Sequence, residues 1–178
     1  MDCSIEILMN GRPQTLVVDA HRTLLDVLRS DLAITSPKYG CGLAQCGSCT
    51  VLIDGAPARS CVMRAAKANG AAITTLEGLA HAQTGELHPV QRGFVEAVGA
   101  QCGYCLNGMV MTAIALLREN PNPDEGDVRA ALRHNLCRCG THKEIVASVM
   151  RAAELMREEA QAQTSPDGTS SAGEGASA

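Results

Sequence analysis

Eight of the nine cysteines in this 178-residue chain fall into two groups whose spacing carries chemistry. The first is Cys41-x4-Cys46-x2-Cys49 followed by Cys61, in the context YGCGLAQCGSC. This is the plant-type [2Fe–2S] spacing, in which four thiolates hold two irons. Such a loop must fold back around a compact inorganic core and aim its amide N–H groups at sulfur. Gly40, Gly42 and Gly47 permit the positive φ and close backbone approach this requires. Cys61 follows a turn at Asp54-Gly55 and supplies the fourth thiolate.

The second group pairs Cys102-x2-Cys105 with Cys137-x-Cys139. Cys105 and the Cys137/Cys139 pair each precede a predicted helix. The positively polarised amides of two facing helix starts would stabilise four thiolates. On these residues alone, iron–sulfur and structural zinc stand near even, because four thiolates also suit Zn²⁺. Disulfides are disfavoured: the pairs are poor local partners, no export signal precedes them, and the odd count leaves one thiol over. Cys102-Gly-Tyr-Cys105 lacks the βαβ surroundings of a thioredoxin-like motif. No Cys-x-His unit supports a Rieske centre, and no Cys-x-x-Cys-His string supports c-type haem. Cys3 reads as an ordinary thiol near the terminus.

Composition agrees that cysteine chemistry stands in for part of a core. The chain carries one Phe, two Tyr and no Trp. A net charge of −4 argues against nucleic acid as a partner. No basic region followed by an apolar stretch marks a signal peptide, so a cytoplasmic location is the default expectation. The longest apolar run, Met109 to Leu117, is shorter than the roughly 20 residues that span a bilayer, so no membrane insertion is expected.

The elements that must position these thiols divide the chain. SIEILM (Ser4 to Met9) and QTLVV (Gln14 to Val18) flank Asn10-Gly11, a strong hairpin signal. Thr23 caps a predicted helix bearing Leu24, Leu25, Val27 and Leu28 on one face. Asp54-Gly55 turns a second hairpin, and Ala72 to Thr75 offers a last strand. The pattern is α+β, a mixed sheet with one helix across it. Four helices follow. The first opens at Pro89, with Val90, Phe94, Val95 and Val98 as its apolar stripe. The second is expected to be capped by Asn107 and to end at Asn120-Pro121. The third runs from Asp124 to His134, and the fourth opens on a Thr141…Glu144 capping box. The expected organisation is 1–78 for the sheet domain, 79–87 as linker, 88–160 for the four-helix bundle, and 161–178 as a disordered tail.

YGCGLAQCGSCTVLIDG, RSC, QCGYCLNGM and NLCRCGTH, in this order, resemble the iron–sulfur small subunit of the molybdenum hydroxylase (xanthine oxidase) family. The resemblance runs from about Ser4 to Met156 and is nearest to bacterial nicotinate, isoquinoline and aldehyde dehydrogenase small subunits. It implies a plant-ferredoxin-like β-grasp domain followed by a small helical iron–sulfur domain. It implies two [2Fe–2S] clusters, one on Cys41, Cys46, Cys49 and Cys61, the other on Cys102, Cys105, Cys137 and Cys139, and so decides the second group against zinc. By the same resemblance Gln101 and the Cys139 segment contact a molybdopterin, in its cytosine dinucleotide form, held mainly by a large partner subunit. The implied function is electron transfer from that partner's molybdenum site through both clusters to an external acceptor, a flavin or cytochrome subunit. The implied substrate is an N-heteroaromatic such as nicotinate or isoquinoline, or an aldehyde. Co-export with a signal-bearing partner is compatible with a periplasmic site. The alternative is a free-standing ferredoxin-like carrier. Among neighbouring residues, Tyr104 is expected to pack near the second cluster, Arg138 either to contact a phosphate or partner carboxylate or to offset cluster charge, and Lys38 to balance the negative charge of the first loop.

Overall fold

The computed structural model describes residues 1–81 and 84–164. Strands β1 (Asp2–Met9) and β2 (Arg12–Asp19) form the expected hairpin, with Asn10 and Gly11 at φ 48° and 78°. Helix α1 (Leu24–Ser30) is capped by Thr23, whose Oγ1 accepts from the Asp26 N–H at 3.2 Å. Strands β3 (Thr50–Ile53) and β4 (Ala56–Arg59) make the second hairpin, and β5 (Ala72–Thr74) returns to the sheet centre. The order is β2-β1-β5-β3-β4, with β1 and β5 parallel and the other pairings antiparallel. Ile5, Ile7, Val18, Val51 and Ile73 of the sheet meet Leu24, Val27 and Leu28 of α1 in one buried cluster. The mixed sheet crossed by one helix is therefore present.

Four helices follow: α2 (Pro89–Glu96), α3 (Leu106–Glu119), α4 (Glu125–Leu132) and α5 (His142–Thr164). α3 is buried along most of its length and forms the centre of the bundle. α2 and α5 pack tightly because residue 93 is glycine. A Cβ there would stand 2.8 Å from the Ala152 amide nitrogen. Leu52 of β3 joins this helical core, so the two halves share apolar packing.

Three local expectations are corrected. Val95 and Val98 do not form a buried stripe with Phe94; they are 66% and 70% exposed. α2 ends at Glu96 and the chain turns away at Val98, whose φ is 52°. Asn107 does not cap α3. Cys105 occupies that position, and Asn107 is buried inside the first turn. α5 also continues through Gln161 to Thr164, which composition assigns to the tail. Residues 165–178, the rest of that expected tail, lie outside the described residues. No described helix is long and apolar enough to cross a membrane.

Candidate metal centres

The loop between α1 and β3 has almost no regular structure, and its backbone hydrogen bonds are directed at sulfur. The N–H groups of Leu43, Gln45 and Cys46 each lie 3.3 Å from Cys41 Sγ, and the Cys41 N–H lies 3.4 Å from Cys46 Sγ. Gly42 and Gly47 sit at φ 68° and 83°, and a Cβ on Gly40 would stand 2.6 Å from Cys46 Sγ. The glycines therefore do what the spacing requires: they turn amides inward and clear space beside sulfur. Cys49 enters β3, and Cys61 follows β4 on the opposite side of that hairpin; both are buried.

The N–H groups of Leu43, Cys46 and Gln45 hold the Cys41 thiol down at about 6. Burial pushes Cys49 up to about 11. The second group shows the same contrast. Burial pushes Cys105 up to about 12. At Cys137 burial opposes ionisation, but the Thr141 hydroxyl, 3.3 Å from Sγ, and nearby backbone outweigh it and hold the thiol at about 7.

The thiols face one another in pairs: Cys41 with Cys46, Cys49 with Cys61, Cys105 with Cys137, and Cys102 with Cys139. Among the described residues no three His, Cys, Asp or Glu side chains converge as a single-ion site requires. Two facing pairs per group suit a donor set shared between two irons, two thiolates to each. The eight sequence-predicted thiols are thus brought together as four facing pairs, and in the second group Cys102, Cys137 and Cys139 also act on one another through charge.

The two sets meet across the join between the halves. The Cys46 carbonyl accepts from the Leu136 N–H at 2.9 Å, one residue before Cys137. A cavity of about 420 Å³ separates them, lined by Cys46, Cys102, Cys105 and Cys137 with Tyr104 and Leu136. Tyr104 packs beside it as expected, and its hydroxyl donates to the Tyr39 carbonyl at 2.7 Å. Asn107, just after Cys105, donates through Nδ2 to the carbonyls of Ser48 and Thr50 at 3.1 and 2.8 Å, on either side of Cys49. Its Oδ1 is buried without a partner among the described residues. Arg59 donates to Thr50 Oγ1, to the His134 carbonyl and to Asn135 Oδ1, while Asn135 Nδ2 donates to Thr112 Oγ1. Sequence reasoning does not find the roles of Asn107, Arg59, Asn135 and Thr141. Only their proximity to the cysteine motifs marks them.

Gln101 is exposed and precedes Cys102, whose thiol faces Cys139, so both lie at one open edge of the second set. Arg138 and His142 line the cavity between the sets, whereas Lys38 donates to the carbonyls of Thr35 and Ser36.

Two family descriptions match. Residues 7–76 match the 2Fe-2S iron-sulfur cluster binding domain, and residues 75–150 match the [2Fe-2S] binding domain. One of the nicotinate dehydrogenase subunits of Pseudomonas putida is 52% identical over 88% of this chain and 99% of its own length. Aldehyde oxidoreductase of Megalodesulfovibrio gigas is 44% identical over 84% of this chain but only 17% of its own length. A chain of quinoline 2-oxidoreductase from Pseudomonas putida 86 superposes with a TM-score of 0.83 at 39% identity, over 88% of this chain and 97% of that one. The β-grasp-plus-helical architecture is thus the fold of solved oxidoreductase structures.

Proposed function

Because this chain belongs to the iron–sulfur small subunits of the molybdenum hydroxylase family, and serves electron transfer in a molybdenum-containing oxidoreductase, we propose a division of labour among its side chains. Cys41, Cys46, Cys49 and Cys61 hold one [2Fe–2S] cluster, and Cys102, Cys105, Cys137 and Cys139 hold the other. Bound there, the clusters supply one-electron redox steps between a partner's molybdenum site and an external acceptor. The chain's own residues keep the two sets adjacent and orient their ligands. Asn107 and the Arg59–Asn135 pair fix the halves together, and inward N–H groups favour the anionic sulfur of the first loop. Thr141 donates to sulfur in the second set.

The carrying observation is the direct link between the sets, Cys46 carbonyl to Leu136 N–H, which leads into Cys137. Electron transfer is favoured by short bonded routes between redox centres, and this join supplies one.

Gln101 and Cys139, at the open edge, contact a molybdopterin held by a large partner subunit, in the cytosine dinucleotide form. The partner's substrate is an N-heteroaromatic of the nicotinate kind, the compound named in the 52% identical relative. The acceptor is a flavin or cytochrome subunit. The complex works in the cytoplasm, or in the periplasm where a partner carries the export signal.

Low-temperature EPR of the dithionite-reduced protein should give two distinct [2Fe–2S] signals. Metal analysis returning zinc in place of iron would sink the assignment. In the complex, Cys137→Ser should abolish the second set's signal and uncouple substrate oxidation from the acceptor. Unchanged turnover would refute the wiring.

A further inference from the structure

Three consecutive residues in the connector between the halves are each tied to a different part of the molecule. Thr75 is fully buried against the sheet half: its N–H donates to Asn10 Oδ1 at 2.9 Å, and its Oγ1 accepts from Asn10 Nδ2 at 3.0 Å. Leu76 packs against the apolar core of the helices, and its carbonyl accepts from Gln91 Nε2 at 3.4 Å. Glu77 turns to the first thiol loop. Its Oε1 accepts from the Ser36 N–H at 2.9 Å and its Oε2 from the Ser36 hydroxyl at 2.5 Å. Gly78 then passes so close to Asn10 that a Cβ would overlap that side chain.

Ser36 stands at the opening of the loop that carries Cys41, Cys46 and Cys49. This stretch has no helix or strand, so side chains must satisfy its backbone. Arg29 of α1 donates to the Thr35 and Pro37 carbonyls at 2.9 Å each, and Lys38 Nζ donates to those of Thr35 and Ser36. Cations thus take the carbonyls, and Glu77 takes the N–H and hydroxyl. The Lys38 N–H closes the base of the loop on the Ser48 carbonyl at 3.0 Å, one residue before Cys49.

The direction of these bonds is fixed. Partial burial pushes the Glu77 carboxyl up, but bonds from Ser36 and Thr75 outweigh it and hold it below the ordinary carboxylate range. An ionised carboxylate only accepts. Asn10 Oδ1 is taken by the Thr75 N–H, so Nδ2 donates to Thr75 Oγ1, and the Thr75 hydroxyl proton is left for Glu77. The chain Asn10–Thr75–Glu77–Ser36 therefore runs unbroken from the β1–β2 turn to the first thiol loop. Among the described residues Glu77 forms no ion pair, so its charge serves this network.

We infer that Glu77 is a positioning residue for the first cluster: its two-oxygen grip on Ser36 sets where the Cys41–Cys49 loop stands relative to the connector, and hence to the helical half. The inference rests on the assignment of Cys41, Cys46, Cys49 and Cys61 to one cluster. It adds a residue outside both cysteine motifs that acts on that cluster through Ser36.

The test uses the complex as purified, reduced with dithionite and followed by low-temperature EPR. In Glu77→Gln the amide keeps one acceptor where the carboxylate had two, and the charge is gone. Incubated with bathophenanthroline disulfonate, a ferrous chelator, this variant should lose the first set's signal roughly three- to tenfold faster than wild type, with the second set's rate unchanged. Its first-set line shape should also differ from wild type before any iron is lost, which a change in stability alone would not produce. Ser36→Ala keeps the N–H and drops the hydroxyl, so it should accelerate loss by less. Ser36→Thr keeps both donors and should match wild type. Equal acceleration of both sets would mark a general loss of stability and overturn the inference, as would first-set kinetics and line shape unchanged by Glu77→Gln. If Glu77→Gln does not fold, the Ser36 pair decides, and equal behaviour of its Ala and Thr variants overturns the inference. Wild-type protein lacking two [2Fe–2S] signals would instead refute the cluster assignment itself.

Discussion

Thiol ionisation differs sharply within each set of four, and metal-free chain should report it. Cys41, held at about 6, and Cys137, at about 7, are largely or half ionised at neutral pH, whereas Cys49, at about 11, and Cys105, at about 12, remain protonated. The thiolate is the nucleophile. Iodoacetamide at pH 7 should therefore alkylate Cys41 and Cys137 before Cys49 and Cys105, as read by peptide mass mapping. The sign of the pH dependence follows: labelling of Cys41 should level off once pH passes about 6, while labelling of Cys49 should still be rising near pH 10. Equal rates across the four would contradict the hydrogen bonds to Cys41 Sγ. Thr141 makes a second prediction in the loaded protein. Its buried hydroxyl favours extra negative charge on Cys137 sulfur, and hydrogen bonds to sulfur are among the terms that set cluster potentials. Thr141→Val removes the donor at nearly constant volume, so the potential of the second set should fall by up to about 60 mV, the one-electron equivalent of a tenfold change. Thr141→Ser should restore it. EPR-monitored redox titration decides, and a potential unchanged by Val would show that the contact does not tune the site.

Helix α3 does more than complete a bundle, because its first turn clamps the loop that carries Cys49. Gly108 lies against the Gly47 carbonyl, closely enough that a Cβ would overlap it, and Asn107 ties Ser48 and Thr50 to the helix. Asn107→Ala removes one donor from each of two buried carbonyls, of which Ser48 keeps the Lys38 N–H, so each lost bond is worth about 0.5–1.5 kcal/mol. We expect a lowered Tm and a broadened signal from the first set, checked by calorimetry and EPR. Asn107→Asp removes the amide donor and buries a charge, and should be worse. How much of this is legible in the sequence depends on distance along the chain. The two cysteine groups, the Asn10-Gly11 and Asp54-Gly55 hairpins and the α1 stripe are readable because each is a local pattern. Asn107 reads as a cap because Asn near a helix start usually is one. Its partners lie 59 and 57 residues away, and Arg59 reaches Asn135 across 76. No spacing rule sees such pairs. Val95 and Val98 fit a helical period, but α2 ends before Val98, so the period loses its physical basis there.

The two halves of the molecule depend on their cysteines to different degrees, and the difference is measurable. In the helical half, Met111, Ile114, Leu117, Ile145 and Val149 are buried with Phe94 and Val128 in an extended apolar core that has no cysteine among its buried members, Cys105 and Cys137 only packing against it. In the first half the cluster of Leu25, Cys49 and Cys61 is a core made largely of prospective ligands, and the preceding loop from residue 36 to 49 has no helix or strand. Pairs of thiols brought together without metal gain little packing. Metal-bound, they close that loop and contribute folding free energy directly. Hydrogen exchange of metal-loaded and chelator-treated protein should thus differ most between residues 36 and 62, while α3 and α5 keep their protection. Strand β3 is the informative boundary. Leu52 is fully buried in the helical core although its neighbours Cys49 and Thr50 belong to the loop side. If the halves are joined as described, the Leu52 amide should exchange as slowly after chelation as before, while those of Leu43 to Cys46 exchange faster than in the loaded protein although their bonds to Cys41 Sγ still form most of the time. Loss of protection spreading evenly through α3 would instead mean that the bundle, too, is held by its thiolates, and that its buried apolar core does not suffice.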